Sequence, residues 1–401
     1  MKLLVFAHTP PPHHGQSYMV KLMLDGFGGD VRCPPNVRPP LHGIECYHVN
    51  AQLSRDLASV GEFQPAKILR IFWFCLQAIW IRFRHGVHHF YYVPAPGKPV
   101  ALYRDWVVLL LCRPFFKQFI LHWHAAGLHQ WLETSAPPRV RAITYRLFRP
   151  VDLSIVISRY NIADAEGMAS RRIRLVDNGI PDPCPDFDQV LRPIREKCFA
   201  LRQQAFAGAL GAEPLRLKVL FLTHCSREKG LFAAAEAVLL ANRDLANRQV
   251  PLQLQLVVAG NFVTTEERLE FDRLYVGTTT AKSITFVGFV SGRQKDELLG
   301  SADLFLFPTR YLGETQSVCL IEAMAFGLPV VTTRWRCLPE MLPSDYPGLT
   351  DDQDPGQLAA ALLRILATEN GLRLRRAFLD RFELQPHLSA LAAALRSVEE
   401  V

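Results

Sequence analysis

Short runs of apolar and β-branched residues alternate along the chain with longer segments whose apolar residues recur every three or four positions. The short runs predict ten strands: Leu3–Ala7, His89–Val93, Phe119–His122, Leu153–Ile157, Arg174–Val176, Lys218–Leu222, Gln253–Ala259, Ile284–Val287, Leu304–Phe307 and Val330–Thr333. The longer segments predict helices, among them Gly230–Asn242, Thr264–Leu274, Lys295–Leu299 and Ser317–Phe326. Strands that alternate with helices indicate parallel βαβ units and a doubly wound sheet. Two such series in tandem predict an α/β chain with two Rossmann-like domains.

The boundary between the two domains is marked by Asn178–Asp188, which concentrates the Pro, Asp and Gly residues that break regular structure. A charged, helical stretch follows, and a new strand pattern begins near residue 216. We therefore expect an N-terminal domain over 1–180, a linker over 181–216 and a C-terminal domain over 217–380. The last helical stretch, 381–401, could pack on either domain, including back on the N-terminal one.

The composition is that of a globular protein, with 49% hydrophobic and 21% charged residues among 401, a length that favours two domains over one core. The net charge of +7 lies entirely in residues 1–190, which also hold 11 of the 13 histidines. This asymmetry indicates different partners for the two halves, with an anionic partner for the first half. An ordinary basic surface is an equally good interpretation.

The nine cysteines form no C-x-x-C pair, which argues against a disulfide framework and a zinc site and favours a reduced, cytoplasmic compartment. The apolar stretch at residues 1–8 is too short for a signal peptide. The longest apolar run, Ile68–Phe83, contains polar residues and is shorter than the roughly 20 residues that span a bilayer. We therefore expect no transmembrane helix.

Ligands of open α/β sheets bind beyond the carboxyl ends of the strands, so the loops at those ends are expected to carry the functional residues. After the first strand, Gly15 precedes a helical pattern that starts near Ser17, and a glycine there lets a ligand approach the backbone. The dinucleotide spacing G-x-G-x-x-G is absent. Three histidines of this loop, His8, His13 and His14, could ligate a metal, but no acidic residue is spaced to help them.

Two further loops carry polar residues at strand ends. His122, His124 and His129 cluster after a middle strand, where a histidine can bond to a ligand or transfer a proton; a structural role is the ordinary alternative. Lys229 and Gly230 open a helix after the first strand of the second domain. The lysine offers a point charge for phosphate and the helix dipole adds to it, whereas a solvated helix start is the alternative.

The segment LGETQSVCLIEAMAFGLPVV holds two glutamates, Glu314 in a loop and Glu322 inside an apolar helix. Ser317 is the predicted N-cap of this helix and Gly327 its C-cap. A carboxylate is rarely buried unless something pairs with it, so Glu322 is expected to accept hydrogen bonds from ligand hydroxyls such as a ribose or sugar diol. A glutamate on the helix surface is the alternative, which its apolar neighbours disfavour. Backbone amides of Gln316–Val318 would face an anion.

These residues together resemble glycosyltransferase family 4, whose members are retaining enzymes of the GT-B fold. Glu314 and Glu322 meet the family's E-x7-E spacing inside LIEAMAFGLPVVTT, which is the most specific part of the resemblance. Five further stretches resemble segments of the family: SREKGLFAAAEA, RLVDNGI, VVAGNF, ITFVGFV and PPPHHGQSYM. The resemblance covers both halves, and it implies two Rossmann-like domains that face each other across a cleft.

The resemblance implies a role for individual residues of this chain. Glu322 is expected on the ribose hydroxyls of a nucleotide sugar, Glu314 on hydroxyls of the transferred sugar, and Lys229 on the diphosphate. His124 is expected near the reacting carbon, so His124, Glu314 and Lys229 are the candidate catalytic residues. The other candidate donor-binding residues are Gly15, His224, Arg227, Gly288, Phe289, Val290, Thr315, Gln316, Ser317 and Val318.

Within that set, residues 288–290 stand where the family holds the nucleobase, and Gly15 stands where its backbone approaches the diphosphate or acceptor. Two positions depart from the family pattern. His224 replaces the usual arginine, so diphosphate neutralisation could use His224, Arg227 or neither. Thr315 replaces a glycine, because the usual EGFG reads ETQS here. A branch with EGQP is closer, and its members tend to build polysaccharides.

The resemblance therefore predicts a retaining transferase that moves a hexosyl or N-acetylhexosaminyl group from a nucleotide-diphosphate sugar to a glycan or lipid-linked acceptor, in polysaccharide or glycolipid synthesis. It implies no cofactor and no bound metal. A GT-B sugar-nucleotide epimerase and an inactive GT-B binding protein are the alternatives. Product analysis with the donor alone would separate transferase from epimerase.

No nucleic-acid partner is expected, but contact with a membrane is an open question. Lys67–Gly86 mixes arginine with Trp and Phe, as an interfacial helix at anionic lipid or lipid diphosphate does. A buried helix of the first sheet is the slightly favoured alternative. The predicted location is cytoplasmic, at the inner face of the membrane if that contact forms.

Overall fold

The computed structural model describes residues 1–11, 14–33, 41–52, 65–97, 99–211, 213–275 and 283–399. The chain forms two compact units. The first unit comprises Met1–Ile180 together with Leu384–Val401, and the second unit comprises Pro181–Glu383.

The first unit is built on a six-stranded sheet in which all paired strands are parallel. Its strands are β1 (Lys2–Ala7), β2 (Glu45–Asn50), β3 (His89–Tyr92), β4 (Gln118–Trp123), β5 (Leu153–Val156) and β6 (Ile173–Leu175). The order across the sheet is β2-β1-β3-β4-β5-β6. The connections leave β1 in one direction and reach β3 in the other, so the sheet reverses its winding between β1 and β3.

Helices cover both faces of this sheet, which explains why its central strands are almost continuously apolar. The helices are α1 (Gly15–Gly26), α2 (Pro65–His85), α3 (Pro99–Cys112), α4 (Leu128–Thr134), α5 (Pro138–Phe148) and α6 (Ile162–Gly167). One core includes apolar side chains of α2 and α3, and a second core includes those of α1.

The second unit repeats this architecture with a second parallel sheet. Its strands are β7 (Leu215–Leu222), β8 (Leu252–Ala259), β9 (Ile284–Gly288), β10 (Leu304–Phe307), β11 (Val330–Thr333) and β12 (Leu349–Thr350), in the order β12-β11-β10-β7-β8-β9. Its helices are α7 (Phe187–Phe206), α8 (Leu231–Asn247), α9 (Thr265–Tyr275), α10 (Gly292–Ser301), α11 (Val318–Ala325), α12 (Leu338–Met341), α13 (Pro355–Leu366) and α14 (Gly371–Arg381). The winding reverses between β7 and β10.

The final helix, α15 (Leu384–Arg396), lies with the first unit although it follows the second along the chain. Leu388, Leu391 and Leu395 are buried in the same core as α1. A Cβ atom at Gly26 of α1 would lie 2.4 Å from a methyl carbon of Leu388, so glycine allows the two helices to approach closely. The sequence left open which domain this last helix packs on, and the structure places it in the core of the first unit that contains α1.

The segment expected to be a linker, 181–216, contains helix α7 and belongs to the second unit. Arg375 of α14 forms an ion pair with Asp182, with 2.6 Å between the nitrogen and the carboxylate oxygen. The buried guanidinium of Arg195 donates hydrogen bonds to the carbonyls of Leu299 and Phe326. These contacts attach the segment to the second sheet and its helices.

The prediction of two parallel α/β domains is confirmed, and each of the ten predicted strands is present with ends that differ by at most three residues. Strands β2 and β12 were missed. Both lie at the edge of a sheet; β2 interrupts its apolar residues with His48, and β12 has two residues. In the part of the chain that the structure describes, every helix falls short of the length and apolar character needed to cross a bilayer.

Candidate active site

The strongest candidate site lies at the carboxyl edge of the second sheet. The loop after β7 carries Lys229, and the loop after β10 carries Glu314. Strands β7 and β10 are neighbours, and the winding of the sheet reverses between them. Such a reversal opens a crevice at the strand ends of an α/β sheet, which is where ligands of these folds bind.

Lys229 and Glu314 form a largely buried ion pair in that crevice. The lysine Nζ lies 2.7 Å from Oε2 of Glu314, and the two side chains are 12% and 6% exposed. The hydroxyl of Thr309 donates a second hydrogen bond to the same carboxylate oxygen at 2.9 Å. Burial lowers the pKa of Lys229, but the charge and hydrogen bond of Glu314 outweigh it, so this pKa is raised. The site therefore holds a charged ammonium group beside a carboxylate.

The backbone around the lysine is fixed by contacts with the loop after β10. Gly230 has φ +85, and a Cβ atom there would lie 2.2 Å from the carbonyl oxygen of Pro308. The amide of Arg310 donates to the carbonyl of Glu228 at 2.8 Å, and the Gln353 side chain donates to the carbonyls of both Pro308 and Glu228. The glycine next to the lysine is therefore required by a close approach of two loops, a requirement invisible in the Lys-Gly pair itself.

Glu322 is 7% exposed on α11, and its partner is Lys295 of α10, with which it forms an ion pair. Burial raises the pKa of the Glu322 carboxyl, and Lys295 opposes this effect without cancelling it. A ligand hydroxyl that reaches Glu322 thus meets a carboxylate already shared with a lysine. Sequence reasoning missed Lys295, because a single lysine near the start of a polar helix belongs to no motif.

The loop between the two glutamates is closely packed. Thr315 and Gln316 are buried, and Ser317 occupies the predicted N-cap position of α11. The Ser317 side chain does not cap the helix; its hydroxyl lies 3.2 Å from Sγ of Cys319. The helix starts at Val318, so its first amides lie at the same edge of the sheet as Glu314.

The same helix ends one residue earlier than predicted, at Ala325, with Phe326 rather than Gly327 as the C-cap residue. Gly327 follows the C-cap residue Phe326 and has φ +60, the left-handed region that favours glycine. A Cβ atom there would lie 2.7 Å from the ring of Phe187, so packing as well as backbone conformation requires glycine. The sequence therefore ends helix α11 at a glycine, whereas its N-terminal end has no side-chain cap.

His224 and Arg227 are the two candidates to neutralise the diphosphate in place of the arginine that the family resemblance implies. His224 follows β7 and is half-buried; burial and the charge of Lys229 lower its pKa, while Glu314 opposes them, so the ring is neutral at pH 7. Arg227 instead forms an ion pair with Glu270 of α9. The structure thus brings His224 into the electrostatic environment of the Lys229–Glu314 pair and directs the Arg227 guanidinium to α9.

Residues 288–290 lie at the end of the edge strand β9, separated from β7 by β8. Gly288 has φ +77, and its carbonyl accepts a hydrogen bond from the amide of Gly260 at 2.8 Å. Phe289 is 51% exposed and Val290 is half-buried. The edge of the sheet therefore presents an aromatic ring at the position where the family resemblance implies the nucleobase.

The candidates of the first unit lie around β4. The hydroxyl of Tyr91 is 2.6 Å from Nδ1 of His122, and the rings of His122 and His124 are 4.1 Å apart between centroids. Burial, together with His387 and His14, lowers the pKa of His124 to about 3, so its imidazole is neutral. His129, predicted in the same cluster, lies on α4 with Nδ1 2.8 Å from the hydroxyl of Tyr145, and we assign it a structural role.

Gly15 is the first residue of α1, which starts two residues before the predicted position. The preceding residue, His14, caps the helix by accepting a hydrogen bond from the amide of Ser17 at 3.3 Å. Nε2 of His14 also lies 2.8 Å from Nε2 of His8, and burial together with His14 lowers the pKa of His8 to about 4. The third histidine of this loop, His13, lies outside the described residues.

The chain is similar in sequence to known glycosyltransferases. Residues 216–368 match the family model described as Glycosyl transferases group 1. A putative colanic acid biosynthesis glycosyltransferase, WcaL of Escherichia coli K12, is 30% identical over 151 residues, or 36% of this chain and 35% of that protein. The match therefore spans about a third of the relative's length.

Solved structures resemble the chain over its whole length. Sucrose-phosphate synthase from Thermosynechococcus elongatus has a TM-score of 0.65 at 18% identity, with 100% of each chain covered. Anabaena Alr3699/HepE, solved with UDP and glucose, has a TM-score of 0.60 at 16% identity, with 99% of this chain and 100% of that chain covered. These likenesses show that the chain has the GT-B fold.

The family match of the second unit and the fold of the whole chain together support the GT-B glycosyltransferase superfamily. Three residues that carry the family resemblance lie inside the matched segment, 216–368: Glu314, Glu322 and Lys229.

Proposed function

We propose that the protein is a retaining glycosyltransferase that moves a hexosyl or N-acetylhexosaminyl group from a nucleotide-diphosphate sugar to a glycan or lipid-linked acceptor. The observation that carries this proposal is the buried Lys229–Glu314 pair at the winding reversal of the second sheet. The E-x7-E spacing, the family match and the UDP and glucose bound by the Anabaena protein support it.

Lys229 is the residue that we assign to the leaving diphosphate. Cleavage of the bond between sugar and phosphate builds negative charge on the phosphate oxygens, and a fixed ammonium group stabilises that charge as it forms. Glu314 keeps Lys229 charged inside the protein and has further lone pairs for a sugar hydroxyl. The neutral ring of His224 can donate or accept one hydrogen bond at the same place without adding charge.

Glu322 is assigned to the ribose hydroxyls, and the Lys295 ammonium group favours its ionised, accepting form. Residues 315–318 would present amides to phosphate, and residues 288–290 would contact the base. In the first unit, the neutral imidazole of His124 can bond to a sugar hydroxyl, and Gly15 would let the backbone approach the acceptor or diphosphate.

The reaction in this proposal needs neither a metal nor a cofactor, because Lys229 supplies the positive charge and the departing phosphate accepts the proton of the acceptor hydroxyl. The product would serve polysaccharide or glycolipid synthesis. We place the enzyme in the cytoplasm, where it would contact an anionic membrane peripherally through its basic first unit.

The proposal is tested by thermal unfolding with a panel of nucleoside diphosphates. One of them, held at about 100 times its dissociation constant, should stabilise the protein by about 2.7 kcal/mol. Glu322→Gln should remove most of this stabilisation, because the amide nitrogen has no lone pair for a ribose hydroxyl. Glu297→Gln is the matched control, since Glu297 is an exposed carboxylate on α10.

Turnover is tested next by incubating the matching sugar nucleotide with and without acceptor glycans. A retained anomeric configuration in a glycoside product is the expected result. An epimerised sugar nucleotide formed without acceptor would identify an epimerase instead. If no nucleotide stabilises the protein and Glu322→Gln changes nothing, the donor site proposed here is wrong.

A further inference from the structure

Helix α2 of the first unit is apolar on two opposite faces. One face is buried in the hydrophobic core that α2 shares with the first sheet and α3, and it comprises Ile71, Cys75, Ala78 and Ile81. The opposite face exposes six large apolar side chains, each between 44% and 74% accessible: Leu69, Phe72, Trp73, Leu76, Trp80 and Phe83. The prediction of a buried helix is therefore correct for one face of α2 and wrong for the other.

The six exposed side chains form one continuous stripe, which we call the α2 stripe. Apart from the adjacent Phe72 and Trp73, these residues are spaced by three or four positions, and at about 100° of rotation per residue all six lie within an arc of roughly 100°. The four aromatic members expose roughly 450 Å², if a full aromatic side chain has about 200 Å². Phe115 extends the stripe, because its ring lies 5.7 Å from that of Phe83. Apolar patches of this size on a soluble unit mark interaction surfaces.

The charges around the stripe restrict its partner. Helix α2 has no Asp or Glu among its 21 residues. Arg70 and Arg84 are exposed and lie on one flank of the stripe. At the carboxyl end of the helix, Lys2 donates a hydrogen bond to the carbonyl of His85 at 3.0 Å, which adds another cation. The partner is therefore expected to combine an apolar interior with a negatively charged surface.

An anionic lipid bilayer has both properties. Tryptophan prefers the level of the lipid headgroups, and Trp73 and Trp80 both belong to the stripe. A second copy of the chain is less suitable, because an antiparallel two-fold interface would place Arg70 and Arg84 of one stripe beside those of its equivalent. Charge complementarity thus favours the membrane over self-association.

We propose that the α2 stripe is a membrane-docking surface, with α2 lying in the plane of an anionic bilayer. The aromatic side chains enter the boundary between headgroups and acyl chains, and Arg70 and Arg84 pair with lipid phosphates. This surface specifies how the basic first unit meets the membrane. Lipid binding requires no turnover, so its test and the test of the transferase activity fail independently.

The experiment is sedimentation of the full chain with vesicles of phosphatidylcholine alone or with 30% phosphatidylglycerol. We expect binding to the anionic vesicles, at least tenfold tighter than to the neutral ones and weaker at 0.5 M salt. Trp73→Ser combined with Trp80→Ser should reduce this binding at least tenfold, and Arg70→Gln combined with Arg84→Gln should remove the preference for anionic lipid. Leu269→Ser is the matched control, because Leu269 is 65% exposed on α9 of the second unit.

A second readout does not depend on disruptive variants. Lipids brominated near the headgroup should quench tryptophan fluorescence of the wild-type protein, and the conservative pair Trp73→Phe and Trp80→Phe should lose that quenching while still sedimenting. Equal binding to both vesicle types, or no sedimentation at low salt, would overturn the proposal. So would a dimer in solution that the serine pair converts to a monomer, since the stripe would then join two copies of the chain.

Discussion

The ion pair between Lys229 and Glu314 can be tested by a double-mutant cycle. Lys229→Met removes the charge and keeps the length of the side chain, which leaves the Glu314 carboxylate 6% exposed with the Thr309 hydroxyl as its remaining described partner. Breaking one member of a buried pair costs about 3–5 kcal/mol, because the other charge stays buried without compensation. Glu314→Gln should have a similar cost, since it leaves the lysine uncompensated.

This cost can be converted to an unfolding temperature. The second unit spans residues 181–383, and an unfolding entropy of about 2.1 cal/mol/K per residue gives roughly 0.4 kcal/mol/K for a unit of that length. A loss of about 3–5 kcal/mol should therefore lower its Tm by about 7–12 °C. Replacing both partners by neutral groups is often close to neutral for a buried pair, so the double variant should recover most of the loss.

Calorimetry or circular dichroism of the four proteins measures the coupling, with and without the stabilising nucleoside diphosphate. The double variant should regain stability but not nucleotide binding, because Lys229 is absent. The wild-type contribution of the pair should be fully present below the unfolded lysine pKa of 10.5 and fall as the pH rises towards the raised folded pKa.

The exposed pair Arg293–Glu297 on α10 provides the control cycle, for which a coupling of about 0.5 kcal/mol or less is expected. The buried pair should exceed that coupling several-fold. If the two cycles give equal coupling, or if Lys229→Met shifts Tm by less than 2 °C, the assignment of a buried charge pair is refuted.

Three further predictions follow from other parts of the molecule. Lys295→Met should weaken binding of the nucleoside diphosphate about tenfold by isothermal titration calorimetry, because burial then favours protonated Glu322; unchanged affinity would separate this lysine from the site. The lowered pKa values of His124 (about 3) and His8 (about 4) mean that stability of the first unit should fall below pH 6.5, by about 1.4 kcal/mol per pH unit for each histidine, and a flat Tm between pH 7.5 and 5 would contradict this. Gly230→Ala should cost more than about 1 kcal/mol in urea unfolding, since its φ is +85 and a Cβ would meet a carbonyl oxygen; wild-type stability would show that the loops can separate.

Much of the fold follows from local patterns in the sequence. A central strand of a parallel sheet is buried on both faces, so it favours an uninterrupted apolar run, as in Leu304–Phe307. Strands β2 and β12 lack such a run, because polar residues interrupt β2 and β12 has two residues, which is why they were missed. An apolar run also locates the loop that follows it. Lys229 and Glu314 could therefore be placed in loops at the ends of strands.

The sequence by itself determined the two α/β series, the loops that carry the candidate residues, and the spacing of Glu314 and Glu322. Only the tertiary structure decided that Lys295 is the partner of Glu322, that Gly230 contacts the backbone of the next loop, and that α15 returns to the first unit. It also decided which apolar face of α2 is left uncovered. Periodicity reports whether a position is apolar, whereas pairing depends on strand order and on contacts between residues that are distant in the chain.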